Sequence, residues 1–316
     1  MINKILSMHK ELNLNVVHFD WTKRYKFPLV DLEAQIEYLG IKSEGRGTAY
    51  SEEEALTKAV CEAIERYIVK LKDFKNSNGS SCHTSREAAK ICSCNELLER
   101  DAFLCHFYLN VPAFNSGSDQ ASSDLINHAY VTLNKMGIEL KIALMAGANN
   151  STIAICKANG RNNQLKFGDI FGSAYGDDKH SIEHALIEVL RDLFYILDFG
   201  VESISLHEFE RWIAPGPNTH LKLALDLDYS STISFPTINT ELSRPQMDHI
   251  ELSTIEIHDE ILERLGLFFI QAKSDEIQNI FWGNFNQENI NYKRIESYRE
   301  VGLIGDGIRK YPHPFG

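Results

Sequence analysis

A short motif, Glu-x-x-Glu-Arg, occurs twice in this chain of 316 residues and supplies its most promising group of ionisable side chains. The first copy contains Glu62, Glu65 and Arg66, and the second contains Glu96, Glu99 and Arg100. Glutamates three positions apart lie on the same face of a helix. Each copy therefore predicts a pair of carboxylates that point the same way, with an arginine beside them.

Two such helices packed side by side would bring four carboxylates together, and these repel one another unless cations neutralise them. Hard oxygen ligands suit Mg²⁺, which proteins usually bind together with substrate phosphates, and the arginines would contact phosphate oxygens. The alternative is that each copy lies on a solvated helix face, where Glu and Arg are common. The neighbours of both copies are apolar, which favours a site: Ala59, Val60, Ala63, Ile64, Leu97, Leu98, Ala102 and Phe103.

Two further segments are candidates for the same site. Gly45 and Gly47 flank Arg46 shortly before the first motif, and a glycine loop there would let the backbone approach a phosphate that the guanidinium binds. The alternative is a plain turn. Glu188 is a single acid in an apolar stretch of a third predicted helix. The chain contains no P-loop motif and no G-x-G-x-x-G, so ordinary P-loop and dinucleotide sites are excluded.

Three helices are expected to position these residues. Ser51 followed by Glu54 predicts a cap for a helix that reaches about Leu71, and the segment 84–87 repeats that device before a second helix. Small residues at 172–178 predict a loop, and the third helix is expected to follow it over about 181–197. Apolar runs at 138–146 and 152–157 predict an antiparallel pair of strands. Four prolines predict an irregular excursion over 214–245.

The last residues, 311–316, predict an extended tail. Pro312 and Pro314 fix their own backbone angles and bias the residues before them away from a helix, so the tail is pre-ordered and could enter a pocket at little entropic cost. The alternative is a frayed terminus, because chain ends are commonly disordered.

Composition limits the class of protein. The chain is 43% hydrophobic and 24% charged, as in soluble globular proteins, and its net charge of −12 disfavours a nucleic-acid partner. It has no apolar run long enough to span a membrane and no signal peptide, so we expect a cytoplasmic protein. Six cysteines without a C-x-x-C pair predict reduced thiols and no zinc site. Cys92 and Cys94 are interpreted as helix-core residues rather than nucleophiles.

Taken in order, these segments resemble the YcaO family over essentially the whole chain. The matching segments are Gly45–Gly47, Ala59–Arg66, Asn95–Phe103, Gly172–Ala174, Ala185–Glu188 and the Pro-His-Pro-Phe tail. The resemblance implies a single domain over 1–316 with an α+β fold, in which mixed or antiparallel sheets pack with long glutamate-bearing helices. It also implies an enzyme that uses ATP and Mg²⁺ to phosphorylate a backbone amide oxygen of a ribosomally made peptide.

The resemblance assigns roles to individual residues. Magnesium and phosphate would be held by Glu62, Glu65, Glu96, Glu99 and Glu188. The ATP site would also include Arg46, Arg66, Arg100 and Arg191. The tail residues Pro312, Pro314 and Gly316 would act at the catalytic centre.

Three functions follow from this resemblance. The tail favours a cyclodehydratase that makes azolines, and the first alternative is a thioamide-forming enzyme that uses external sulfide with a partner protein. The second is an inactive docking scaffold, since Arg191 stands where the family usually has Gln and Gly316 where it has Pro. The chain is too short for a fused leader-binding domain, which implies a precursor peptide, a separate leader-peptide-binding partner, and a homodimer or hetero-complex.

Overall fold

The structure is a computed structural model that describes residues 2–115, 123–161, 165–236, 238–239, 245–301, 303 and 307–314. Backbone contacts divide the chain into two compact units. The first unit comprises Met1–Leu97 and Leu252–Ser274, and the second comprises Leu98–Glu251 and Asp275–Gly316. Within the described ranges, no helix has the length and apolarity needed to cross a membrane.

The first elements in chain order are α1 (Ile2–Met8), β1 (Asn15–His18), α2 (Trp21–Arg24), β2 (Val30–Tyr38), β3 (Ile41–Ala49), α3 (Glu52–Leu71), β4 (Ser80–His83) and α4 (Arg86–Leu109). Next come β5 (Ala113–Asn115), α5 (Asp124–Lys135), β6 (Ile138–Gly147), β7 (Ser151–Arg161), β8 (Lys166–Tyr175), α6 (Lys179–Phe199), α7 (Leu206–Phe209), α8 (Pro217–Ala224) and α9 (Leu227–Ile233). The last are β9 (Ile238–Asn239), β10 (Ser253–Ile257), α10 (Glu260–Leu265), β11 (Phe268–Lys273), a 3₁₀ turn (Gln287–Asn289) and α11 (Tyr292–Glu300).

The first unit contains two antiparallel three-stranded sheets, in the orders β1-β2-β3 and β10-β11-β4. Helix α3 contributes one face to the hydrophobic core of this unit. The Ser51 hydroxyl accepts a hydrogen bond from the Glu54 amide, which confirms the predicted N-cap. The buried core includes Val60, Ile64, Tyr67 and Ile68 of α3, Ile36 and Tyr38 of β2, Leu262 and Leu265 of α10, and Phe269 of β11.

The glycines around Arg46 do not form a loop, contrary to the sequence prediction, because they lie inside strand β3. A larger residue would not fit at either position, because α3 packs directly onto that strand. A Cβ on Gly45 would lie 2.2 Å from the Ala63 amide nitrogen, and a Cβ on Gly47 would lie 2.0 Å from the Ala55 carbonyl oxygen. The glycines therefore set the distance between β3 and the helix that carries the first Glu-x-x-Glu-Arg motif.

The second unit contains a five-stranded sheet in the order β8-β7-β6-β5-β9. Its neighbours are antiparallel except for the parallel pair β5–β9, and the predicted pairing of β6 with β7 is confirmed. Helix α6 is capped by the Asp178 side chain and ends at Phe199, and the following Gly200 has a φ of 62°. The predicted loop at 172–178 is wrong in its first half, because Gly172 to Tyr175 belong to β8. A Cβ on Gly172 would lie 2.2 Å from the Ala185 carbonyl of α6, so these small residues again admit a closely packed helix.

Helix α4 supplies the second Glu-x-x-Glu-Arg motif. It begins at Arg86, and the Ser85 hydroxyl accepts from the Ala88 amide, so the cap is Ser85 rather than Thr84. Cys92 is exposed and Cys94 is partly exposed, which corrects their interpretation as helix-core residues, although all six cysteines are free thiols as predicted. Only one of the two sequence neighbours of Cys92 is apolar, and Cys92 lies on the solvent-exposed face of α4.

The described part of the predicted irregular excursion over 214–245 contains two helices, α8 and α9, and residues 237 and 240–244 of that range lie outside the described residues. Pro217 occupies the first turn of α8, where a missing amide hydrogen costs nothing. Pro217, which was interpreted as a break, therefore starts a helix. The buried side chains of His220, Leu223 and Tyr229 tie this segment to the core of the second unit.

Candidate active site

Two donors of the first unit bind the side chain of Glu62. One of its oxygens accepts from the Arg46 amide and the other from the Arg66 guanidinium, each at 2.7 Å. Arg66 also donates to the Glu44 carbonyl at 3.2 Å, and Lys70 donates to the Lys42 carbonyl at 2.7 Å. One row of α3 side chains, spaced four residues apart, thereby satisfies backbone groups along the edge of β3 and fixes the position of Glu62.

Glu65 is enclosed by protein atoms but remains partly accessible to solvent. One of its oxygens accepts from the Cys82 amide at 3.3 Å. Burial is the largest cause that raises the pKa of Glu65 well above its usual value, and the negative charges of Glu96 and Glu62 raise it further. Three of the predicted metal ligands, Glu62, Glu65 and Glu96, are therefore neighbours within the first unit.

Glu99 and Glu188 form a second pair of carboxylates within the second unit. Glu99 is 8% exposed, and burial raises its pKa, with a further contribution from Glu188 and opposition from Arg100. Arg100 approaches the Glu99 carboxylate at 3.4 Å. Ser173 connects the pair, because its hydroxyl donates to Glu99 at 2.6 Å and its amide donates to Glu188 at 3.1 Å.

Sequence reasoning did not identify Ser173 as a functional residue. The signal was present in the small-residue run Gly172-Ser173-Ala174, but the run was interpreted as a loop. In strand β8, Ser173 reaches Glu188 of α6 with its amide and Glu99 of α4 with its hydroxyl. The role of Ser173 thus depends on strand packing that the sequence pattern did not reveal.

The guanidinium of Arg46 is paired with a carboxylate that sequence reasoning also missed. Asp31 is 1% exposed and accepts from Arg46 at 2.5 Å, from the Trp21 indole at 2.6 Å and from the Thr48 hydroxyl at 2.8 Å. The guanidinium also lies 4.2 Å from the centre of the Phe19 ring. These contacts hold Arg46 in β3 while its amide supports Glu62.

The remaining predicted residues are placed as follows. Arg191 is partly buried on α6, three residues after Glu188. Pro312 and Pro314 are buried in the second unit, which excludes a frayed end for these two residues. Gly316 lies outside the described residues.

The carboxylate oxygens of both clusters fit Mg²⁺ with phosphate. Among the described side chains, no group of three or more His, Cys, Asp or Glu residues is arranged to hold a metal ion by itself. Magnesium commonly takes only one or two carboxylates and completes its shell with water and substrate phosphates. Small groups of carboxylates with raised pKa values suit an ion that arrives with a nucleotide better than one held in a permanent cage.

Comparison with solved structures identifies the fold. The YcaO protein from Methanopyrus kandleri bound with AMPPCP and Mg²⁺ aligns with a TM-score of 0.58 and 13% identity, covering 99% of this chain and 96% of that chain. A heterocyclase in complex with substrate and cofactor gives 0.71 and 12%, covering 99% of this chain and 57% of that chain. A chain of the E. coli microcin synthetase McbBCD complex gives 0.61 and 11%, covering 90% and 93%.

The chain therefore has the YcaO fold, and the α+β class expected from the sequence is confirmed. It resembles YcaO, heterocyclase and microcin synthetase structures, and spans 57% of the heterocyclase chain that it matches. No protein-family model matches the chain, and no curated protein matches it in sequence.

Proposed function

We propose that this chain is an ATP- and Mg²⁺-dependent enzyme that activates a backbone amide of a ribosomally made precursor peptide and forms an azoline ring. The observation that carries the proposal is the enclosure of Glu65 and Glu99, each beside another glutamate that raises its pKa. Clustered carboxylates of this kind destabilise a fold on its own, and a bound cation relieves their repulsion. The fold supports the same conclusion, because one structure that shares it holds an ATP analogue with Mg²⁺.

The proposal gives each residue a task. The glutamates of the two clusters, Glu62, Glu65, Glu96, Glu99 and Glu188, bind magnesium and phosphate. Ser173 orients Glu99 and Glu188, and the Arg46 amide orients Glu62. Arg66, Arg100 and Arg191 contact phosphate oxygens, where a planar guanidinium is favourable.

When bound, ATP with Mg²⁺ would supply the phosphoryl group that makes the amide oxygen a leaving group. The thiol or hydroxyl of a substrate Cys, Ser or Thr loses its proton and attacks the preceding amide carbon. The amide oxygen would leave as phosphate, and loss of the amide N–H proton leaves the C=N bond of the azoline. Charge develops on the oxygens of that group, and fixed positive groups stabilise it. The residues of this chain therefore contribute positioning and electrostatics.

We propose a separate protein that binds the leader part of the precursor peptide. The similar microcin synthetase chain belongs to the McbBCD complex. On this proposal the chain works as a homodimer or within a hetero-complex, with the precursor peptide as its substrate.

Mass spectrometry of a modified peptide tests the proposed reaction. The chain is incubated with MgATP, sulfide, and the precursor peptide and leader-binding protein encoded in neighbouring reading frames. Loss of one water per modified residue supports azoline formation. Exchange of an amide oxygen for sulfur would show a thioamide-forming enzyme instead, and an unmodified peptide together with no binding of MgATP would show a docking scaffold.

A further inference from the structure

Two thiols of the first unit, those of Cys61 and Cys82, lie against each other beside Glu65. Cys61 belongs to α3 and Cys82 to β4, and their side chains form a hydrogen bond. Cys82 is 6% exposed and belongs to the hydrophobic core of the unit, whereas Cys61 packs against that core and remains partly exposed. Neither thiol takes part in the proposed reaction.

Cys82 interacts with α3 at two points. Its amide donates to the Glu65 carboxylate at 3.3 Å, and its thiol contacts that of Cys61. Cys61 precedes Glu65 by four residues, so both lie on one face of α3. A change in the distance between the two sulfur atoms therefore moves the amide that orients Glu65.

Strand β4, which carries Cys82, is restrained on one side only. It is four residues long, and within the described ranges it is an edge strand that pairs with β11 alone. A shift of β4 relative to α3 therefore disturbs a single strand ladder. The other edge of the strand has no ladder to break among the described residues.

A hydroperoxide is the class of oxidant that joins two such thiols. Cys61 is the more exposed of the two, so its sulfur reacts first: it attacks one peroxide oxygen, the O–O bond breaks, and Cys61 becomes a sulfenic acid. The other peroxide oxygen leaves in an alcohol, or in water when the oxidant is hydrogen peroxide. The Cys82 sulfur then displaces the hydroxyl group, which leaves as water with the Cys82 proton. The two sulfurs lose two electrons in total, and the peroxide gains them.

We propose that Cys61 and Cys82 are an oxidative modification site, at which a hydroperoxide forms a disulfide that weakens the binding of MgATP. A disulfide holds its sulfurs about 2.05 Å apart, closer than two thiols approach without a bond, so β4 must shift and carry the Cys82 amide with it. A dithiol reverses the bond by thiol–disulfide exchange. The effect on MgATP rests on the proposed function, whereas formation of the disulfide does not.

Tryptic mapping of the oxidised protein locates the bond. Cleavage after lysine and arginine places Cys61 in the peptide 59–66, Cys82 in 76–86, and the α4 thiols Cys92 and Cys94 in 91–100. The chain is treated with hydrogen peroxide, the remaining thiols are blocked with N-ethylmaleimide, and the non-reduced digest is analysed by mass spectrometry. Peptides 59–66 and 76–86 should be linked and should separate with dithiothreitol. Links to 91–100 in their place, or sulfinic acid at Cys61 without a link, would overturn the proposed site.

Cys61→Ser tests the effect on the nucleotide, and Cys94→Ser is its matched control. Cys94 is another partly exposed thiol of the first unit. AMPPCP and Mg²⁺ are titrated into each protein before oxidation, after it, and after dithiothreitol. Wild type and Cys94→Ser should lose at least tenfold in affinity on oxidation and recover it with dithiothreitol, while Cys61→Ser keeps its affinity throughout. Cys61→Ala, which adds no polar group beside the core, repeats the test.

The possible failures are distinguishable. A mapped disulfide with unchanged affinity for AMPPCP would refute the effect on the nucleotide, and so would an equal loss of affinity in Cys61→Ser and wild type. If the reduced wild type does not bind AMPPCP, the proposed function fails and the effect on MgATP fails with it. The peptide map still decides in that case whether Cys61 and Cys82 are a modification site.

Discussion

At the scale of single residues, each of the two glutamate clusters contains a carboxyl group that the folded chain alone does not accommodate well. Glu65 and Glu99 have raised pKa values because burial and neighbouring glutamates disfavour their charged forms. Their hydrogen-bond donors, the Cys82 amide and the Ser173 hydroxyl, offset only part of that cost. Residues that bind a ligand are commonly poor contributors to stability in the absence of that ligand.

Glu65→Gln and Glu99→Gln should therefore stabilise the chain without nucleotide. A carboxyl group whose pKa is raised on folding stabilises the folded chain below its unfolded-state pKa of 4.5. That contribution is lost as the pH rises from 4.5 through the folded-state pKa. At pH 7.5 the neutral amide removes this cost, and thermal unfolding should shift upward by about 2–4 °C for each ~1 kcal/mol regained.

Glu53→Gln is the control for that measurement, because Glu53 is an exposed residue of the same helix as Glu65. Its melting temperature should stay close to that of wild type. A fall in the melting temperature of both site variants below that of the control would contradict the account of strained carboxylates.

At the scale of secondary-structure elements, close contacts between helices and strands position the glutamates of each cluster. Gly45 and Gly47 let α3 approach β3, and Gly172 lets α6 approach β8. In each case a glutamate of the helix accepts from a strand amide: Glu62 from Arg46 and Glu188 from Ser173. The two clusters thus use the same local device, a glycine-spaced strand whose amide orients a helix glutamate.

Gly47→Ala should destabilise the first unit by about 1–3 kcal/mol or more, the usual cost of overpacking. The added methyl group would lie 2.0 Å from a backbone oxygen, which cannot move without shifting α3. Gly216→Ala is the control, because no atom lies within 4 Å of the position of its Cβ. Urea denaturation measures both. Equal stability of the two variants would refute this role of Gly47.

These elements also show how far sequence reasoning reached. The helix pattern and the Ser51 cap are local signals, so α3 and its two glutamates were predicted closely. The glycines were interpreted as loop residues because the local sequence does not distinguish a glycine needed for close packing from one needed for a turn. Asp31 and Ser173 were missed because their partners are distant in sequence: Arg46 for the first, Glu99 and Glu188 for the second.

At the scale of the whole molecule, buried histidines make stability depend on pH. Burial lowers the pKa of both His106 and His220 from 6.5 to about 4. The unfolded chain binds protons at these residues below pH 6.5 while the folded chain does not, so stability is lost as pH falls from 6.5 towards 4. The loss at pH 5 should be about 2 kcal/mol per histidine.

Urea denaturation at pH 7.5 and pH 5 checks this expectation. His106→Asn should reduce the difference in unfolding free energy between the two pH values, because asparagine does not titrate. His249→Asn, at an exposed position of the same unit, should leave the difference as it is in wild type. A pH dependence that is the same in all three proteins would contradict the assignment to buried histidines.

Isothermal titration with AMPPCP and Mg²⁺ tests most directly whether the glutamate clusters bind a magnesium nucleotide. Wild type and Glu53→Gln should bind the analogue with equal affinity. Glu65→Gln and Glu99→Gln should each weaken binding at least tenfold, which corresponds to about 1.4 kcal/mol, while remaining folded. Equal affinity in all four proteins, or no binding by wild type, would contradict the claim.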